Sequence, residues 1–172
     1  LEHPGTTEEA PFQFPLMVVT DCHLNCNEYC IKVESGFQII IKGCSLYGID
    51  NFASYEVTMD PLTHRSIYLD NYTTNALISG NMVQDAGGGT PDSGGYGPSI
   101  EVDGHFNLIT SNLFSVDGVW TGAAGPQEPY IKFGNVASGN TFSGNKITSS
   151  WPKGADNWHE TGMAANRSLT PY

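Results

Sequence analysis

Basic residues are scarce in this sequence. Seven Lys and Arg stand against 18 Asp and Glu, and the formal charge is −11 over 172 residues. A nucleic-acid partner needs a basic surface that neutralises phosphates, so this composition speaks against one. It speaks against an anionic membrane surface for the same electrostatic reason. A neutral polymer, or a surface with cations available, is compatible with the charge.

Long apolar runs are also lacking. No stretch approaches the roughly 18 residues of a membrane-spanning helix, and no secretory signal is visible, so we expect no membrane insertion. Residues 1–11, LEHPGTTEEAP, look like an expression scar or an internal cut. We therefore expect an N-terminal extension there and a chain that is a piece of something longer.

Turn-forming residues are frequent, with 20 Gly and 10 Pro, while charged residues make up only 15%. With many β-branched and aromatic residues, this composition favours β structure over a helical bundle. A chain of this length fits one domain with a sizeable core.

Four cysteines lie close together in the sequence, at Cys22, Cys26, Cys30 and Cys44. The first three, with His23, have metal-binding residue types but lack the two-residue spacing usual in zinc sites. We expect no metal there, and buried thiols in a reducing compartment.

The sequence repeats itself. Four segments start with a strand-like I-x-[VLF] pattern, and their first residues are 36, 33 and 31 positions apart: Ile31, Ile67, Ile100 and Ile131. In each segment a second strand follows and leads to one polar position, and this second strand also occurs once before the first segment. The five polar positions are 22, 37, 31 and 33 residues apart: Cys22, Cys44, Asn81, Asn112 and Asn145.

Such a repeat is typical of a coiled ribbon whose strands lie side by side about 4.8 Å apart. Inward residues then form columns, one of the four isoleucines and the next of Val33, Leu69, Val102 and Phe133. The Cys/Asn position falls where the chain bends, where buried Asn side chains can bond free backbone groups and one another. Cys22 and Cys44 become neighbours, but parallel stacked side chains are poorly oriented for a disulfide.

The turns ISGNMV, ITSNLF and FSGNKI resemble those of right-handed parallel β-helix proteins, the pectate-lyase-like group that includes pectinases, polysaccharide lyases and bacteriophage tailspikes. The resemblance covers residues 12–150. It implies an all-β fold, a right-handed single-stranded parallel β-helix (solenoid). Residues 151–172 break the pattern, and we expect a C-terminal cap or a contact with a partner chain. Similarity to tailspikes further implies a homotrimer on the virion tail, acting at the extracellular face.

The extra residues fall at one phase of the repeat, in 47–66, 84–99 and 115–130, so long loops should project from one side. Such insertions commonly form the binding face of a solenoid. Tyr96 and Trp120 are substrate-binding candidates in these loops because aromatic faces suit sugar rings, and Asp92 is a candidate because its loop adjoins the predicted carboxylates. The same residue types also serve protein interfaces, and a plain surface loop is the other reading.

A column of carboxylates is the candidate for catalysis. Stacking places Asp70 beside Asp103, with Glu101 next to Tyr68, and carboxyl groups about 5 or 10 Å apart bracket the spacings of glycosidases. We predict Asp70, Asp103 and Glu101 as catalytic, and Tyr68 and His105 as substrate-binding. The carboxylates could instead hold Ca²⁺. They could also belong to a salt-bridged exposed face, or begin turns.

The expected function is recognition of a cell-surface polysaccharide, with hydrolysis by paired carboxylates if the protein is an enzyme. One alternative is a non-catalytic structural or glycan-binding module. Another is a Ca²⁺-dependent polysaccharide lyase, which ranks lower because only Lys32, Arg65 and Lys132 could serve as its base. No other cofactor is expected, and the sequence does not name the sugar.

Overall fold

The computed structural model describes residues 14–26, 29–48, 65–84, 98–115, 130–147, 158–160 and 167–168. Within these ranges every regular element is a β-strand and every strand pair is parallel. The protein is therefore all-β, as the composition predicted. The described residues include no helix that is long and apolar enough to cross a membrane.

The first five ranges are successive copies of one strand pattern, numbered here repeats 1 to 5. Repeat 1 contains β1 (Phe14–Pro15), β2 (Val18–Thr20) and β3 (His23–Cys26). Repeat 2 contains β4 (Tyr29–Val33), β5 (Gly36–Phe37), β6 (Ile40–Lys42) and β7 (Ser45–Gly48). Repeat 3 contains β8 (Arg65–Leu69), β9 (Thr73–Thr74), β10 (Leu77–Ser79) and β11 (Met82–Gln84).

Repeat 4 contains β12 (Ile100–Val102), β13 (Leu108–Thr110) and β14 (Leu113–Ser115). Repeat 5 contains β15 (Ile131–Phe133), β16 (Thr141–Ser143) and β17 (Lys146–Ile147). Two further strands, β18 (Trp158–Glu160) and β19 (Arg167–Ser168), lie in the segment predicted as a cap.

Strands at the same position of successive repeats pair and form four sheets. The first contains β1, β5 and β9, the second β2, β6, β10, β13, β16 and β19, the third β3, β7, β11, β14 and β17, and the fourth β4, β8, β12, β15 and β18. Single bridges from Thr74 to His105 and from His105 to Ser138 continue the first sheet. Repeats 2 to 5 follow one order, from the fourth sheet to the first, second and third. This arrangement is compatible with a β-helix-like fold.

The core columns predicted from the repeat are confirmed. Pairing of β4, β8, β12 and β15 aligns Ile31, Ile67, Ile100 and Ile131, and then Val33, Leu69, Val102 and Phe133. All eight side chains are buried in one cluster with Ile41, Ile78, Ile109 and Phe142 of the second sheet and Leu46, Val83 and Phe114 of the third. Each fully buried side chain of this size contributes about 1.5–3 kcal/mol to folding.

The predicted asparagine ladder is confirmed at the bend between the second and third sheets. Asn112 Oδ1 accepts the backbone N–H and the Nδ2 of Asn81, both at 3.0 Å, and its own Nδ2 donates to Ile78 O at 3.1 Å. Asn145 makes the same set of bonds one repeat later. Each Asn thus satisfies backbone groups that the bend leaves without sheet partners.

Cys44 takes the place of an Asn at the early end of this ladder. Its backbone N–H donates to Asn81 Oδ1 at 2.9 Å, and its thiol lies 3.6 Å from Val19 O. Val19 pairs with Ile41, whose carbonyl accepts Asn81 Nδ2 in the next repeat. The Cys44 thiol therefore occupies the position of a ladder amide.

The residue directly before each ladder position has a left-handed backbone conformation. The residues are Asp21, Gly43, Gly80, Ser111 and Gly144, with φ between 54° and 67°. The bend requires this conformation in each repeat. Glycine provides it at no steric cost, whereas Asp and Ser tolerate it less well.

A second ladder, at the bend between the first and second sheets, was not predicted. Asn107 Oδ1 accepts the N–H of Ala76, and Asn140 Oδ1 accepts the N–H of Asn107, both at 2.8 Å. Left-handed residues precede this bend as well: Leu16, Gln38, Asn75, Phe106 and Gly139. Two copies of Asn are too few to stand out as a sequence column.

The expectation of free thiols is wrong for two of the four cysteines. Cys26 and Cys30 form a disulfide with Cα atoms 4.9 Å apart, whereas Cys22 and Cys44 are free. Cys26 ends β3 and Cys30 lies in β4, so the short connection between the third and fourth sheets brings them together. Cys22 and Cys44 remain unbonded, in line with the prediction for stacked parallel side chains.

We predict opposite effects for two ladder substitutions. Asn112→Ala should lower the free energy of unfolding by about 2–4 kcal/mol, because it leaves the buried Asn81 N–H and Ile78 carbonyl of the preceding repeat without their partner. Cys44→Asn should be neutral or stabilising by up to about 1 kcal/mol, because its amide can reach Val19 O and the N–H of Cys22. Urea unfolding monitored by circular dichroism measures both. A strongly destabilising Cys44→Asn would contradict the ladder assignment.

Candidate functional site on the fourth sheet

The outer face of the fourth sheet presents two rows of side chains. Strand pairing aligns Lys32, Tyr68, Glu101 and Lys132 in the first row. The second row follows directly and contains Glu34, Asp70, Asp103 and Gly134. The N–H groups of Asp70, Asp103 and Gly134 bond carbonyls of the preceding repeat at 2.8–2.9 Å, so the register continues through this row. The predicted carboxylate column is therefore assembled as expected.

Asp103 is fixed by a tyrosine of the preceding repeat. The Tyr68 hydroxyl donates to Asp103 Oδ2 at 2.9 Å. Burial, this hydrogen bond and the Asp103 charge raise the pKa of Tyr68 well above its ordinary value. Tyr68 therefore keeps its proton, and its hydroxyl holds the carboxylate in one orientation.

Asp70 has an environment that disfavours its charged form. Partial burial raises its pKa above the ordinary value of 3.8, and the charges of Asp103 and Glu34 act in the same direction. Hydrogen bonds from the backbone N–H groups of Asn71 and Tyr72 oppose the shift without cancelling it. These bonds also make Asp70 the first residue of a turn, which was the structural alternative for this position.

Glu101 lies in an ion-paired network. Arg65 Nε contacts its Oε2, and Lys132 Nζ lies 3.9 Å from its Oε1. Only 14–23% of these three side chains is exposed. Two cations pair with its carboxylate, so Glu101 matches the salt-bridge alternative. Lys32, in the same row as Glu101, pairs instead with Glu34 at 2.7 Å.

Of the remaining predicted residues, His105 alone falls within the described part of the chain. His105 belongs to the first sheet, where its Nδ1 is 2.8 Å from Ser138 Oγ, and that bond runs to the next repeat. Asp92, Tyr96 and Trp120 fall outside the described residues. The structure thus brings Tyr68, Asp70 and Asp103 together and places His105 beyond the corner that follows them.

An aromatic pair that was not predicted lies beside this group. The rings of Tyr29 and Tyr68 have centroids 5.9 Å apart, and Lys32 Nζ lies 5.4 Å from the centroid of the Tyr29 ring. Tyr29 pairs in register with Arg65, two positions before the aligned isoleucines. Extending the repeat two residues towards the N-terminus would have found both residues.

The corner between the fourth and first sheets is shortest at Asp103. This single residue makes the corner in repeat 4, whereas three residues make it in repeat 3 (70–72) and in repeat 5 (134–136). The longer turns leave Tyr72 47% and Val136 55% exposed. Asp103 therefore lies in a recess between two turns that carry exposed apolar groups.

In the part of the chain that is described, no three His, Cys, Asp or Glu side chains are grouped so that they could hold a metal ion. This applies to the carboxylate column and to the cysteines around His23. Comparison with protein-family models, curated proteins and solved structures found no match to this chain.

Because the pKa of Asp70 is raised, replacing its carboxylate by a neutral amide should increase the stability of the folded protein, and the increase should depend on pH. The folded state holds this proton more tightly than the unfolded chain, so stability falls as pH rises from 3.8 through the folded pKa. Asp70→Asn should therefore stabilise the protein at neutral pH, by less than about 1 kcal/mol because the group is partly exposed to solvent. The gain should vanish in acid.

Thermal unfolding at a series of pH values tests this. Asp21→Asn is the matched control, because it removes one negative charge at an exposed aspartate in another part of the fold. A wild-type protein that is more stable than Asp70→Asn at neutral pH would show that folding stabilises the Asp70 carboxylate.

Proposed function

We propose that the chain forms part of a right-handed single-stranded parallel β-helix that recognises a cell-surface polysaccharide. In repeats 2 to 5 the chain passes through the four sheets in one order, which supports a helical path of the backbone. Crossovers between parallel strands are right-handed in about 98% of cases, which supports the right-handed form. Three connections from the third to the fourth sheet, 49–64, 85–99 and 116–130, are the long segments of the repeat, whereas the connection from repeat 1 to repeat 2 is short. Residues 49–64, 85–97 and 116–129 lie outside the described residues, and their projection from one side stays a prediction.

Glycan recognition is supported by the fourth-sheet face and its corner with the first sheet. The observation that carries it is the fixed Asp103 carboxylate, which is held by Tyr68 in the recess beside Asp70. Carboxylates accept hydrogen bonds from sugar hydroxyls, and aromatic rings pack against the apolar faces of sugars. Tyr72 and Val136 supply exposed apolar surface next to them. A neutral glycan fits a chain with a charge of −11.

Hydrolysis is a second candidate activity, favoured by the raised pKa of Asp70. In this mechanism Asp70 donates a proton to the glycosidic oxygen, and the Asp103 carboxylate attacks or stabilises the sugar on the other side. Carboxyl groups on neighbouring strands are about 5 Å apart, the spacing of retaining glycosidases. Glu101 is the weaker catalytic candidate because Arg65 and Lys132 occupy its two carboxylate oxygens.

A Ca²⁺-dependent lyase is less well supported. Its base would have to be a Lys or Arg beside the carboxylates, but Lys32, Arg65 and Lys132 are all engaged in ion pairs with Glu34 or Glu101. A non-catalytic shaft or adhesin module is the other alternative. It requires that Asp70 and Asp103 contribute nothing beyond their turns.

The test is a screen of neutral and acidic surface polysaccharides for binding and for released reducing ends. Asp103→Asn should weaken binding at least tenfold, because the amide gives the sugar a donor where it had an acceptor. Asp70→Asn should abolish release while changing binding less. Unsaturated products absorbing in the ultraviolet would identify a lyase.

Glu34→Gln is the matched control in the same row, because Glu34 pairs with Lys32 two repeats away from Asp103. It should leave binding unchanged and should reduce release less than Asp70→Asn does, because the Glu34 charge contributes to the raised pKa of Asp70 without donating the proton itself. Equal behaviour of Glu34→Gln, Asp70→Asn and Asp103→Asn on a bound glycan would exclude this face as the site. A folded chain that binds no glycan would favour the shaft.

The resemblance to tailspikes extends the proposal to a homotrimer on a virion tail. An uncharged surface that copies could share lies on the second sheet, where Val18, Ile40, Leu77 and Leu108 form one row in register. Val18 is 53% exposed, and Leu16 and Phe106 at the adjoining bend are 60% and 64% exposed. Exposed apolar side chains that lie next to one another, as in this row and at its adjoining bend, are typical of protein–protein interfaces.

Analytical ultracentrifugation tests the association. We expect a trimer mass, and Val18→Lys with Leu108→Lys should shift it to a monomer by placing two charges in the contact. Met82→Lys, at a residue 41% exposed on the third sheet, is the control and should leave the mass unchanged. A monomeric parent chain at high concentration would contradict the proposal.

A further inference from the structure

Gly134 stands in repeat 5 where repeats 2, 3 and 4 place a carboxylate. A Cβ atom added there would lie 2.8 Å from Asp103 Cγ and would overlap Asp103 Oδ1. The three nearest atoms all belong to Asp103. The φ of Gly134 is outside the left-handed region, so its backbone accepts alanine and the carboxylate is the only close obstacle.

The Asp103 side chain is thus held between two neighbouring repeats. On one side its Oδ2 accepts the Tyr68 hydroxyl of repeat 3 at 2.9 Å. On the other side its Oδ1 fills the space over Gly134 of repeat 5. A methyl group at Gly134 must displace the carboxylate, and a displacement that moves Oδ2 disrupts its 2.9 Å bond to the Tyr68 hydroxyl.

We propose that Gly134 is a positioning residue for Asp103, and that its missing side chain provides the space in which the carboxylate keeps its bond to Tyr68. Two glycines, Gly104 and Gly134, then define the recess at this corner. Gly104 follows Asp103 directly and allows close approach to the Thr73 carbonyl, whereas Gly134 acts on the carboxylate alone. The effect on glycan binding rests on the proposed function, but the effect on Tyr68 and Asp103 does not.

A double-mutant comparison separates this role from a general need for glycine. Gly134→Ala should lower the urea midpoint in the parent chain and leave it unchanged in the Asp103→Ala background, where no carboxylate is displaced. An equal loss in both backgrounds would overturn the proposal, because it would place the obstacle elsewhere.

The ionisation of Tyr68 gives a second readout that a purely structural glycine would not change. The ring carbon Cζ of Tyr68 can be followed by NMR in protein labelled at tyrosine and assigned by Tyr68→Phe. Since Asp103 helps to raise the Tyr68 pKa, Gly134→Ala should increase the ionised fraction at about pH 11. An unchanged fraction would contradict the displacement of Asp103.

A glycan readout completes the test. If the parent chain binds a polysaccharide, the Gly134→Ala variant should lose binding to the same degree as the Asp103→Asn variant. If the Gly134→Ala variant binds as tightly as the parent chain, Gly134 does not position Asp103 for recognition. If the parent binds none, the proposed function fails, while the midpoints and the Tyr68 titration still decide the role of Gly134.

Discussion

Hydrogen bonding from one repeat to the repeat before it, through buried asparagines at a bend, is the constraint on which the structure depends. A bend in a stack of parallel strands leaves backbone N–H and C=O groups without sheet partners, and burying them unpaired costs about 1–3 kcal/mol each. Asn112 bonds to two groups of Asn81 and to Ile78 O. These bonds form only when the two repeats are in one register.

The same register determines both faces of the fourth sheet. With Ile67 opposite Ile100 inside, Tyr68 must lie opposite Glu101 outside. A slip of one residue would turn the isoleucines outward and bury the charges of the outer rows. The candidate site therefore needs no separate framework, because its geometry follows from the core and from the ladder.

Repetition explains how much could be predicted. The isoleucine column and the asparagine ladder have four or five copies, and a column with many copies shows its spacing in the sequence. Features with one or two copies do not. Asn107 and Asn140 form a ladder too short to recognise, and the Cys26–Cys30 disulfide occurs at one connection only.

The site was predictable as a row but not as a set of contacts. Alignment of the repeats placed Asp70 next to Asp103. It did not show that Tyr68 bonds Asp103 across the rows, because that contact depends on how the side chain turns towards the space over Gly134. Arg65 was considered only as a base, and its pairing with Glu101 changes the expected chemistry of that carboxylate.

Cysteine cross-linking on the second sheet tests the repeat register most directly. Ser79 and Thr110 are paired and their side chains lie on the outer face, so Ser79→Cys with Thr110→Cys should cross-link with a reagent that spans about 5 Å. The control pair, Ser79→Cys with Ser143→Cys, lies two strands apart and should not cross-link with the same reagent. Both double variants also carry Cys22→Ala and Cys44→Ala, so that no native free thiol reacts. Efficient cross-linking of the first pair alone is the predicted result. Failure of that pair, or equal reaction of both, would contradict the stacked register from which the core, the ladder and the candidate site are derived.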